Sequence, residues 1–272
     1  MSLTNNDVQL YYEVTGSGIP VVFVHEFAGE HASWAKQVEY FSEKYQAITY
    51  NARGYPPSDV PESEKSYSQD IAVQDILSIL DELNIEKAHI IGLSMGGYAT
   101  LLFGIQFPER CLSITIAGVG YGSTKDRSNF EKDAEHVANR ILQEGIEKFG
   151  DVYTVSATRV QLQNKDRKAW EEFKRLFQNS SSLGHANTML GVQRNRPSIL
   201  SLETIISPSY LSNFFVRSIQ ACSLFSSISF NNPLTISVVL VSSVDDVLGD
   251  FFKYVIVIVS LSNFKALFKT LM

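Results

Sequence analysis

Between residues 1 and 122 the apolar residues keep changing rhythm, and this alternation restricts the fold more than any other feature of the chain. PVVFVH, QAITY, AHIIGL and LSITIAGV are short apolar runs that read as buried strands. Helical spacings lie between them: Trp34, Val38 and Phe41, then the stripe of Val73, Ile76, Leu77, Leu80 and Leu83, then YATLLFGIQF. Strands that alternate with helices make a parallel sheet covered on both faces. VQLYYEV alternates apolar and polar residues ahead of TGSG, which predicts a hairpin leading into PVVFVH. Ser66 and Gln69 have capping-box spacing ahead of the second helix.

Residues 123–196 carry no strand pattern. Ser128 and Glu131 again have capping-box spacing, followed by Phe130, Ala134, Val137 and Ile141 on one face, and a second charged helix carries Trp170, Phe173 and Phe177. The expectation is an all-helical insertion, a cap over the sheet. From residue 197 the composition changes: Gly249 alone remains of the 16 glycines, and Ser, Phe, Ile and Leu dominate. LTISVVLVSS and FKYVIVIVS are candidates for the last two strands, and the first has the low charge and β-propensity of an aggregation-prone window. The expected organisation is therefore an α/β core over 1–122, a helical cap over 123–196 and a C-terminal completion of the core over 197–272.

A chain of 272 residues suits one α/β domain with an inserted cap. A net charge of −6 without any Lys/Arg run argues against a nucleic-acid partner. The two cysteines, Cys111 and Cys222, suggest no disulfide framework and fit a reducing compartment. MSLTNNDVQLYY lacks a basic region followed by an apolar one, so no signal peptide is expected, and no stretch has 18 clean apolar residues to span a membrane. The expected location is the cytoplasm and the expected partner a small-molecule substrate. Oligomeric state is not encoded in any of these features.

Chemistry enters at Gly92-Leu93-Ser94-Met95-Gly96, which lies between a predicted strand and a predicted helix. A strained turn there lifts a serine hydroxyl above the sheet, and glycines are needed because side chains would strike the neighbouring strand and helix. The plainer reading is an ordinary strand-to-helix turn. A serine needs a base to take its proton, usually histidine. The five histidines are His25, His31, His89, His136 and His185, so none lies beyond residue 185. GVGYGS offers a nucleotide-binding alternative that fails on spacing, since Ser123 occupies the third glycine position of G-x-G-x-x-G.

Three segments in order, VVFVHEFAG, YNARGYPPS and GLSMGG, resemble the α/β-hydrolase fold superfamily, in its group of small esterases, lactonases and cofactor-free haloperoxidase-like enzymes. The resemblance covers residues 1–122. It implies a mostly parallel sheet covered by helices, with a helical cap, and no cofactor or metal. It makes Ser94 the nucleophile and the backbone N–H groups of Phe27 and Met95 the oxyanion hole; a helix-opening amide such as that of Met95 is free and sits in positive potential. His25 is expected to fix the oxyanion loop rather than act as base. Relatives with epoxide hydrolase or dehalogenase chemistry use aspartate at the elbow, and serine here argues against both.

The resemblance places the acid after the strand that follows the cap, where SVVLVSSVDD offers Asp246, with Asp245 the alternative and a solvated turn the plainer reading. The family's histidine comes later still, but Ser260-Leu261-Ser262-Asn263 stands where its Gly-His is expected. Three accounts compete. The tail derives from a shifted reading frame or truncated gene, since the resemblance fades after RNRPSIL; His185, in SLGHANTM, reaches from the cap as base; or the chain is a non-catalytic relative that keeps the pocket. Two further departures are Glu26, where the family has glycine, and Asn51, in place of the aspartate of D-x-R-G. Glu26 disfavours an oxyanion, attracts a cationic substrate, or simply points to solvent. The function expected is a serine hydrolase acting on a small ester, thioester or lactone through an acyl-enzyme at Ser94. The alternative is an impaired or non-catalytic relative that binds a small ligand.

Overall fold

A computed structural model of the chain describes residues 2–5, 8–119, 126–156, 159–199, 226–228, 235–242 and 253–260. The first part runs β1 (Ser2–Asn5), β2 (Val8–Thr15), β3 (Ile19–Val24), α1 (Ala35–Phe41), β4 (Tyr45–Tyr50), α2 (Gln69–Glu82), β5 (Ala88–Leu93), α3 (Met95–Gln106) and β6 (Cys111–Ala117). Helices follow: α4 (Ser128–Glu144), α5 (Ile146–Tyr153), α6 (Val160–Lys165), α7 (Arg167–Gln178) and α8 (Ser182–Asn187), the last continuing into a π-helical stretch over Thr188–Arg194. Three strands, β7 (Ser226–Ile228), β8 (Thr235–Ser242) and β9 (Lys253–Ser260), complete the described elements.

The strands form one sheet in the order β1-β2-β4-β3-β5-β6-β9-β8-β7. Its centre is parallel: β3 pairs in parallel with both β4 and β5, and β5 with β6. Both flanks are antiparallel, β2 on β4 at one side and β9 on β6 at the other, with β8 and β7 added in the same sense. The predicted hairpin is therefore corrected. TGSG does reverse the chain, but β4 lies between β2 and β3, because β3 takes a parallel partner on each edge.

Side chains that alternate along β3 explain the two-faced packing. Val22 and Val24 point to one face, where they meet Val73, Ile76, Ile79 and Leu80 of α2 and Tyr98, Leu101 and Leu102 of α3. Val21 and Phe23 point to the other and pack with Trp34 and Phe41. The α2 stripe is thus the one the sequence predicts, with its cap moved by two residues: Ser68, not Ser66, accepts the Ile71 N–H at 3.1 Å. The carbonyl of Ser66 instead accepts from Arg53. Nor does Ser128 cap α4; it is already the first helical residue, and its N–H bonds the Asp126 carboxylate at 2.9 Å.

Helices α4, α5, α7 and α8 share a second apolar cluster, built from Ala138, Ile141, Ile146, Phe149, Phe177 and Ala186. Phe27 and Ala28, from the loop after β3, insert into it. That insertion couples the helical layer to the end of the sheet where Ser94 lies. The candidate acid Asp246, and its alternative Asp245, lie outside the described residues.

Candidate active site

β5 ends at Leu93 and α3 begins at Met95, so Ser94 alone makes the turn between them. Its backbone has φ 53° and ψ −111°, a conformation that costs a non-glycine residue of order 1–3 kcal/mol. Two hydrogen bonds hold it there. The Ser94 N–H donates to the Ala117 carbonyl at the end of β6 (2.7 Å), and the Ser94 carbonyl accepts from Tyr98 N–H (3.0 Å). Gly96 allows the turn to sit close: a side chain there would run into the carbonyl oxygens of Val24 and His25. The first turn of α3 therefore rests on the end of β3, next to the loop that carries Phe27. Met95 heads α3, and the helix supplies its amide no acceptor.

The loop after β3 is held from several directions. His25 is 1 % exposed and spends both ring nitrogens on backbone: Nδ1–H donates to the Glu26 carbonyl (2.8 Å), and Nε2 accepts from Ala52 N–H (3.0 Å). Burial lowers its pKa, so the ring is neutral and its tautomer is set by these two bonds. The Tyr55 hydroxyl donates to the Phe27 carbonyl at 2.7 Å. Asn51 fills its buried position completely: Oδ1 accepts from His31 N–H and Nδ1, while Nδ2 donates to the carbonyls of Tyr55 and Pro56. An amide donates there where a carboxylate would not.

Two ion pairs flank this loop. Arg53 and Asp75 form a buried fork-to-fork pair (2.8 and 2.6 Å), with Arg53 Nη1 also donating to the Ser66 carbonyl. They line a cavity of about 30 Å³ beneath the elbow, shared with His25, Met95 and Gly96, with room for about one water. On the helical side, the Glu26 carboxylate meets Arg159 at 3.2 Å. Glu26 is only 8 % exposed, so its side chain does not point to solvent.

His185 is 1 % exposed on α8, and its ring lies against Phe27, Tyr55 and Phe177. Nδ1–H donates to the Ser181 carbonyl at 3.0 Å, which leaves the Nε2 lone pair buried without a partner. Burial lowers its pKa to about 4. His185 thus reaches Phe27 but is not hydrogen-bonded to Ser94; among the described residues no side chain bonds the Ser94 hydroxyl. Of the other histidines, His31 serves Asn51, His89 bonds Ser113 at the foot of the sheet, and His136 is exposed on α4. The elbow that carries Ser94 and Met95 and the loop that carries Phe27, both singled out in the sequence, are joined where Gly96 packs on the carbonyls of Val24 and His25. Sequence reasoning missed Tyr55, Arg159 and the Arg53–Asp75 pair, of which only the first and the Arg53 half lay inside a recognisable segment, YNARGYPPS.

Within the described residues no helix is long and apolar enough to cross a membrane, and no group of three His, Cys, Asp or Glu side chains is arranged to hold a metal ion. A sequence model of the alpha/beta hydrolase fold family matches residues 19–200. Among curated proteins, 3-oxoadipate enol-lactonase 1 of Acinetobacter baylyi is 42 % identical over 97 residues, 36 % of this chain and 35 % of that protein. 3-Oxoadipate enol-lactonase 2 of the same organism is 33 % identical over 118 residues, 43 % of each chain. Epoxide hydrolase 4 of Mus musculus is 29 % identical over 116 residues, 42 % of this chain and 32 % of that one. The chain thus matches less than half the length of these relatives. Among solved structures, the enol-lactonase from Burkholderia xenovorans superposes with a TM-score of 0.64 at 18 % identity, over 75 % of this chain and 77 % of that one. The thermophilic esterase from Thermogutta terrifontis gives 0.63 at 20 % identity, over 75 % and 74 %. With the parallel centre of the sheet, the strand-to-helix elbow and a family match over most of its length, this chain belongs to the alpha/beta hydrolase fold family.

Proposed function

We propose that this protein is a serine hydrolase acting on a small ester, thioester or lactone through an acyl-enzyme at Ser94. The observation that carries the reading is the conformation of Ser94, a non-glycine residue held at φ 53° between β5 and α3. Strain of this kind persists only where surrounding structure enforces it, and it clusters at reactive positions. The names borne by similar proteins, enol-lactonase and esterase, support the substrate class.

In this reading the Ser94 oxygen attacks the substrate carbonyl carbon and gives its proton to a base. The charge that develops on the carbonyl oxygen is met by the N–H groups of Phe27 and Met95, each such donor contributing about 100- to 1000-fold in rate. The leaving alcohol or thiol departs with the proton, and water then releases the acid product. His185 is the base of this proposal, its ring leaving the Ser181 carbonyl to reach Ser94, and Asp246 is the acid. The tautomer favours that role, because Nε2 carries the lone pair. A pKa of about 4 makes it a weak base, so turnover is slow.

A second reading, ligand binding without turnover, is favoured by the Ser94 hydroxyl having no side-chain hydrogen-bond partner among the described residues. Assays of 4-nitrophenyl acetate and a small lactone on wild type and Ser94→Ala separate the two. Hydrolysis lost in the variant supports the enzyme; saturable binding without product supports the second reading. Hydrolysis that survives Ser94→Ala refutes the first.

A further inference from the structure

Glu26 occupies the most sensitive place in the loop after β3. Its peptide bond carries the Phe27 N–H, and covalent geometry keeps its carboxylate within about 7 Å of that N–H in any rotamer. The carboxylate folds back over Gly29, where a side chain would collide with it. A bare negative charge there opposes any negative oxygen at the Phe27 amide, by about 10- to 100-fold at the effective dielectric of a protein edge.

The charge is not bare. Arg159, just ahead of α6, places Nη1 3.2 Å from Glu26 Oε1. Its guanidinium is fixed by two other helices: Nη2 lies 3.4 Å from the Tyr153 hydroxyl of α5, and the group stacks over the Phe173 ring of α7 at 4.7 Å. Its side chain is 18 % exposed and that of Glu26 10 %. Tyr153 in turn packs edge-on against Phe27. A single cation from the helical layer is thus clamped by aromatic groups and aimed at the carboxylate next to the Phe27 amide.

We propose that Arg159 is a positioning residue that cancels the Glu26 charge, so that a negative oxygen can be held by Phe27 and Met95. The inference rests on the proposed oxyanion site but not on turnover by Ser94. It makes the helical layer part of the anion site: only when α5 and α7 hold Arg159 in place is the Glu26 charge offset beside the Phe27 amide.

The test uses Ser94→Ala protein, so that no chemistry intervenes, and compares binding of butyrate with that of neutral, isosteric butyramide by calorimetry. Adding Arg159→Met is expected to weaken butyrate about 10- to 100-fold and butyramide less than threefold. Adding Glu26→Gln to that pair restores butyrate to within about threefold. Glu26→Gln alone, which leaves the guanidinium unopposed, tightens butyrate about tenfold, and this comparison decides the matter even if Arg159→Met does not fold. Absent butyrate binding, equal changes for both ligands, or an unchanged butyrate affinity in Glu26→Gln overturns the inference. Failure of the hydrolase reading appears separately, as wild-type protein without turnover that nonetheless follows this charge pattern.

Discussion

The Tyr55 hydroxyl donates a 2.7 Å hydrogen bond to the carbonyl of Phe27, so the loop after β4 holds the loop after β3 in place. Tyr55 is 2 % exposed, and burial drives its pKa well above the usual tyrosine value, which keeps the hydroxyl a donor at any working pH. Tyr55→Phe removes the donor and leaves a buried carbonyl unsatisfied. The expected cost is about 1–3 kcal/mol in urea unfolding, with phosphonylation of Ser94 slowed about tenfold. An unchanged phosphonylation rate would place the bond outside the anion site.

The strain at Ser94 has its own signature. Glycine adopts φ 53° without penalty, whereas alanine retains it. Ser94→Gly is expected to be about 1 kcal/mol more stable than Ser94→Ala, read as a difference in denaturation midpoint at constant slope. Equal midpoints would mean that the turn is unstrained.

Arg53 and Asp75 are both buried, at 6 % and 2 % side-chain exposure. Removing one partner takes from the other its bidentate counter-ion beside the elbow. Arg53→Met is expected to destabilise by about 3–5 kcal/mol, and adding Asp75→Asn to recover most of that loss. A double variant as unstable as the single one would contradict this account of the pair.

His185 supplies a pH dependence whose sign follows from burial. Its pKa is about 4 folded and near 6.5 unfolded, so between those values the unfolded chain binds the additional proton. Stability is therefore fully present above pH 6.5 and falls as pH drops from 6.5 to 4, by roughly 3 kcal/mol from this group. His25 and His89, whose pKa values burial also lowers, add to the trend in the same direction. His185→Gln should flatten the slope of stability against pH in that window; an unchanged slope would show the ring to be hydrated in the folded state.

Much of the core was readable in the sequence because the cues are local. The α2 stripe needs only a 3.6-residue period, and β3 and β5 need only an apolar run of strand length. What escaped the sequence depends on contacts between distant segments. β4 inserts between β2 and β3, a choice of neighbours that neither strand's own residues encode. Glu26 meets Arg159 across 133 positions, so a carboxylate that looked like a defect in a motif is one half of a pair. His25 was read as a loop fixer from resemblance, and its two backbone bonds give the physical reason. The family match ends at residue 200, next to the point where glycines nearly vanish from the sequence.

The central claim is an activated Ser94, and the most direct test is a fluorophosphonate followed by intact mass, on wild type and Ser94→Ala side by side. A serine at this elbow, with the Phe27 and Met95 amides in their proposed role, should gain one adduct in wild type and none in the variant. A folded wild-type protein that gains no adduct, or a variant that gains the same one, would contradict the account.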